Sequence, residues 1–175
     1  MSAVAWYVAR SSGIVAYLLL SSSVILGVLM AGRTRFAWPR FAVEEVHRFL
    51  ATLTGVFIVL HGGALLLDSV VPFSLAQELI PFTAGYRPFA VGLGVVGAEL
   101  TAAVGISNAL RGQIPHRVWR RVHYLTLPVW GLATLHGLLA GTDRFDPWFA
   151  ALAGMSIAAA GMAFLARFSP RRLPA

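Results

Sequence analysis

Five apolar stretches of about 20 residues limit this chain more than any other feature, because each matches the thickness of a bilayer. Residues 11–32, 49–67, 122–141 and 147–166 contain no Asp, Glu, Lys or Arg, and residues 88–110 contain only Glu99. A helix rises about 1.5 Å per residue, so about 20 residues cross a hydrocarbon core of about 30 Å. Backbone in lipid must satisfy its own N–H and C=O groups, which an α-helix does within one segment. The sequence therefore predicts an all-α membrane protein. It forms a single domain over 1–175, with transmembrane helices at about 11–32, 45–67, 88–110, 119–141 and 147–166.

Charge supports this reading and orients it. Charged residues are 12% of the chain, about half the roughly 25% of soluble proteins. All 14 basic residues are Arg, and 11 of them fall within 33–48, 111–121 and 167–172. Four of the seven acids, Asp68, Glu78, Asp143 and Asp146, lie in the other two loops. By the positive-inside rule, the N-terminus is expected outside and the C-terminus in the cytoplasm, in a plasma (inner) membrane. The net charge of +7 is thus a topology signal, and nucleic acid is not an expected partner.

The chain has no cysteine, which excludes disulfides, thiol catalysis, iron–sulfur clusters and thiolate-bound haem. The N-terminal apolar stretch reads as a span and not as a cleavable signal peptide. Trp6 and Tyr7 suit a membrane interface. Glu44 and Glu45 suit the first turn of the second span, at its positive dipole end. Loop 2, residues 68–87, holds a short amphipathic segment around Phe73–Phe82 that is expected to lie on the outer surface. The tail after Ala166 carries Pro170 and Pro174 and is not expected to fold.

Within the spans stand two histidine pairs, His47 with His61 and His123 with His136, separated by 14 and 13 residues. Each pair covers about 20 Å of helix axis. The second and fourth spans run in the same direction, so His47 matches His123 in depth near the cytoplasm and His61 matches His136 nearer the outside. Ionisable side chains in a bilayer are costly and point to function. Two imidazoles at equal depth on facing helices suit the two axial positions of a haem iron, giving two bis-histidine sites. A zinc site would call for ligands within a turn or so of each other, which the sequence lacks. Taken singly, an intramembrane histidine is more often a hydrogen-bonded packing residue than a ligand.

The neighbours are compatible with that reading. Gly55, Gly62, Gly63, Gly131 and Gly137 flank the ligand positions of the outer site, although glycine is also common wherever membrane helices pack. Arg48, Arg117, Arg120 and Arg121 near the inner site, and Arg10 and Arg87 near the outer, are candidate partners for haem propionates. Topology and lipid headgroups explain any one of them as well. His116 reads as a surface residue. Glu99 lies deep in the third span and suits a neutral packing or hydrogen-bonding role there more than a proton path. The 13-residue spacing leaves His136 about 140° from His123 around an ideal helix, so a distortion at the intervening Pro128 is expected.

Residues 43–68 (VEEVHRFLATLTGVFIVLHGGALLLD) and 86–142, including the RVWRRVHYL segment at 117–125, resemble the ferric reductase-like transmembrane domain. That superfamily includes the membrane portions of ferric-chelate reductases and NADPH oxidases and the MsrQ-type haem subunit of a bacterial methionine sulfoxide reductase. The family's paired histidines match His47/His61 and His123/His136. The family core usually has six helices, against five expected here. MsrQ-type proteins lack a counterpart of His47, which favours the two-haem arrangement.

The resemblance implies a b-type cytochrome with two haem b groups and no catalytic side chain of its own. Electrons would pass from a cytoplasmic flavoprotein or other donor to an external acceptor: a ferric chelate, oxygen or a partner reductase. No dinucleotide-binding fingerprint follows the last span within the nine residues after Ala166, so the donor is expected to be a separate component. The alternatives are an MsrQ-type haem subunit serving a partner reductase, and a haem-free transporter using the same histidines and Glu99.

Overall fold

The computed structural model describes residues 2–32, 36–69 and 71–168. The described residues form α1 (Ser2–Ala31), α2 (Arg40–Leu66), α3 (Leu75–Leu79), α4 (Pro88–Ala109), α5 (His116–His123), α6 (Thr126–Ala140) and α7 (Pro147–Phe168). No strand occurs among them. α1, α2, α4 and α7 are long and apolar enough to cross a membrane. The expected fourth span, 119–141, is not one continuous helix but the pair α5 and α6.

Local chemistry sets the helix ends. Pro39 precedes α2 and Pro88 opens α4, where a missing N–H costs nothing. Because α2 begins at Arg40, Glu44 and Glu45 lie beyond its first turn, and Glu45 instead accepts a hydrogen bond from Arg48. α3 is the expected short segment of loop 2, closed by a capping box. Ser74 Oγ accepts from the Gln77 N–H, and Gln77 Oε1 accepts from the Ser74 N–H. Hydroxyls inside the spans bond back to their own helices, as Ser12 does to Val8, Thr54 to Leu50 and Thr101 to Gly97. α7 ends at Phe168, two residues beyond the expected limit. The rest of the tail, and Arg33 and Arg35 of loop 1, lie outside the described residues.

The break between α5 and α6 follows from Pro128. Lacking an N–H, Pro128 leaves the Tyr124 carbonyl without its usual partner, and the Leu127 N–H bonds it instead. The Leu125 N–H likewise reaches back only three residues, to Val122. Each residue tightened in this way turns about 20° further than in an α-helix. The extra rotation closes part of the angle between His123 and His136.

α1 is the central helix. It lies along α2 on one side and α7 on another, while α6 packs chiefly on α4 and touches α1. Leu20 and Val24 of α1 bury against Val129 of α6, with Leu100 and Trp130 beside them. α2 and α6 are not packed backbone to backbone. The space between them is where the histidines meet. Large side chains such as Phe49, Val59, Phe89, Met155 and Leu165 stay exposed, a surface suited to lipid.

Candidate functional site

The four histidines come together as the sequence paired them. The His61 and His136 rings face each other with centroids 6.3 Å apart and planes at 78°. His47 and His123 do the same at 6.2 Å and 72°. In each pair α2 supplies one ring. α5 supplies the other at the arginine-rich end and α6 at the opposite end.

Backbone carbonyls of neighbouring helices hold three of the rings. His61 Nδ1 donates to the Ala9 carbonyl at 2.7 Å, His136 Nδ1 to Ala90 at 2.8 Å, and His47 Nδ1 to Ser23 at 3.0 Å. A carbonyl can only accept, so Nδ1 carries the proton and Nε2 keeps its lone pair. Within a helix such a carbonyl already bonds the N–H four residues on, and the Cβ of that later residue leans back toward it. A ring from a neighbouring helix comes closest to such a carbonyl where that Cβ is missing. All three carbonyls meet this condition: Ala9 is followed by Gly13, Ser23 by Gly27 and Ala90 by Gly94.

A Cβ at Gly13 would stand 2.9 Å from His61 Nδ1, and one at Gly94 would stand 2.6 Å from His136 Nδ1. One at Gly27 would stand 3.2 Å from His47 Cε1. These glycines escaped the sequence reading, although Gly13 and Gly27 are 14 residues apart, as His47 and His61 are. That shared spacing is the antiparallel register of α1 on α2.

The glycines singled out from sequence behave differently. A Cβ at Gly62 would stand 3.1 Å from Glu78 Oε2, and one at Gly137 3.1 Å from the Phe149 ring. Gly55 and Gly131 are half-buried, with open space where a Cβ would lie, and Gly63 is open and exposed.

His61 and His136 line a cavity of about 370 Å³ that Arg10, Tyr17, Glu78 and Asp143 also border. Arg10 lies at this cavity, but its guanidinium is committed to Asp143. Nε donates to Oδ2 at 2.7 Å, Nη2 contacts Oδ1, and the group lies 5.2 Å over the Trp6 ring. Arg87 sits at a positive φ before α4 and donates to the Leu139 carbonyl at 2.6 Å, outside the cavity lining. Arg48 is exposed and paired with Glu45, and Arg117, Arg120 and Arg121 are exposed on α5.

Glu99 is exposed on α4 and has no hydrogen-bond partner among the described residues, so it does not serve the histidines. Glu78 of α3 instead leans over Gly62. Its Oε1 is buried without a partner among the described residues, and burial pushes its carboxyl above the ordinary glutamate range.

Among the described residues no three His, Cys, Asp or Glu side chains cluster as a cage for a free metal ion. What the bundle offers is two pairs of neighbouring imidazoles, with ring centroids 6.2 and 6.3 Å apart. No family model, curated protein or solved structure matches the chain.

Proposed function

We propose that the chain is a multi-pass membrane cytochrome of b type, carrying one haem between each histidine pair and moving electrons across the bilayer. The separation of the paired rings carries this reading. A metal–imidazole bond is about 2.0 Å and the ring centroid lies about 1.2 Å behind Nε2, so two rings opposed across one metal stand about 6.4 Å apart. The observed 6.2 and 6.3 Å fall at that value. A haem needs only two such donors because the macrocycle supplies the other four, which suits paired rings better than a cage of three or more side chains. Haem would supply reversible one-electron chemistry when bound.

The chain's own part is to hold the axial rings. Three Nδ1–H···O=C bonds fix tautomer and orientation and raise the basicity of the donor nitrogen. The cavity beside the His61–His136 pair is lined mostly by apolar side chains. In this reading α5 and α6 together make the fifth crossing. The arginine-rich end faces the cytoplasm, where a flavoprotein or other reductant supplies electrons, and the external acceptor meets the opposite end. The superfamily assignment and the MsrQ-type alternative both belong to this reading. A haem-free transporter lacks a comparable reason for the ring separations.

The test is the visible spectrum and haem-to-protein ratio of the purified full chain, produced with haem available. A Soret band and a ratio of about two are expected for two bis-histidine sites. A colourless protein overturns the proposal.

A further inference from the structure

Among the described residues, a line of rings joins the His47–His123 pair to the protein surface. His116, exposed at the start of α5, lies tilted on Trp119 with centroids 5.3 Å apart. Trp119 stacks on His123 at 5.2 Å and 21°, and His123 faces His47 at 6.2 Å. Positions 116, 119 and 123 are spaced three and four residues apart, which places them on one face of the helix.

Trp119 is fixed from two sides. Its Nε1–H donates to Asn108 Oδ1 at 2.8 Å, and the Arg111 guanidinium lies 4.3 Å over its ring. Arg111, Arg117, Arg120 and Arg121 surround this face, all exposed. A surface of that sign draws a negatively charged donor and speeds its encounter.

We propose that Trp119 is the port through which an electron reaches the His47–His123 site, its ring coupling a donor at the arginine face to the His123 imidazole. The inference rests on the haem reading given above. In the step, the donor would give up one electron, and a haem held by His47 and His123 would accept it. The indole acts as a bridge and is itself neither oxidised nor reduced, and no bond is made or broken in the protein. Electron coupling decays steeply with the gap between conjugated groups, and ring contacts of about 5 Å leave no wide gap from the surface to His123.

The experiment follows reduction of the haem-loaded full chain by reduced FMN, an anionic donor, in stopped flow. Haem content, midpoint potential and the low-spin ferric EPR signal are measured on the same samples. W119L is expected to slow reduction about tenfold or more, W119F to stay within about threefold of the parent, and W148L, at the far end of α7, to match it. Haem content and potential stay at parental values in all three. The port is overturned if W119L is reduced as fast as the parent with both haems bound. It is also overturned if the slowing accompanies a lost haem, a shifted potential or an altered EPR signal, since Trp119 would then only brace His123. Absence of any Soret band in the parent overturns the underlying reading as well.

Discussion

The two histidine pairs have nearly the same ring separation, yet the protein holds them very differently. At His61–His136 both rings are tied to helix carbonyls, each fits against a glycine of another helix, and a largely apolar cavity adjoins them. At His47–His123 only His47 is tied. His123 Nδ1 is buried with no partner among the described residues, and the Trp119 ring lies beside it. One pair is pre-organised by backbone and shielded. The other takes His123 from an eight-residue helix close to charged surface, with His47 on α2. The donor set alone therefore does not define a site; the second layer around it decides how rigid and how accessible the site is.

The largest effect expected is from removing a ring. H136A and H47A should each lower the haem-to-protein ratio from about two to about one, since each iron loses one of its axial ligands. Loss of both haems from either variant would show that the pairs are not separate.

Next come the glycines that admit the rings. G94A places a methyl 2.6 Å from His136 Nδ1, and that ring is held in place by its bond to the Ala90 carbonyl. It should destabilise the chain by about 1–3 kcal/mol, as overpacking does, and deplete the His61–His136 haem. G27A meets only the His47 Cε1 edge at 3.2 Å and should cost under about 1 kcal/mol. Equal losses in thermal melts of the two variants would erase the contrast between the pairs.

In haem transfer to an excess of apomyoglobin, the His47–His123 haem should leave first, by about tenfold in rate, because His123 lacks the bond that orients its counterparts. Transfer at a single rate would count against the comparison.

The smallest effect concerns Glu78. Its raised pKa means that the folded chain binds the proton more tightly than the unfolded chain does. That contribution to stability is complete below the ordinary value of 4.5 and is lost as pH rises through the raised folded value. Melting curves of E78Q against pH should be flatter across that window than those of the parent. Identical slopes would mean that the cavity mouth does not bury this carboxyl.

The sequence by itself marked the apolar stretches and the spacing of the histidines along them, because apolar length and the rise of a helix are local quantities. It placed His47 with His123 and His61 with His136 by direction and depth alone. It also marked Pro128 as the point of distortion, since a missing N–H acts wherever it stands in a helix. What only the tertiary structure decided is who touches whom across helices. Ala9 and Gly13 serve His61 from 48 or more positions away, and Ala90 and Gly94 serve His136 from 42 or more. Arg10 turned to Asp143 and Glu99 turned outward, because a nearby carboxylate and helix rotation set those fates and neither is written in local spacing. Helix formation depends on neighbours in the chain. The hold on an imidazole depends on which carbonyl a missing Cβ leaves open, and that becomes visible only when two helices lie side by side.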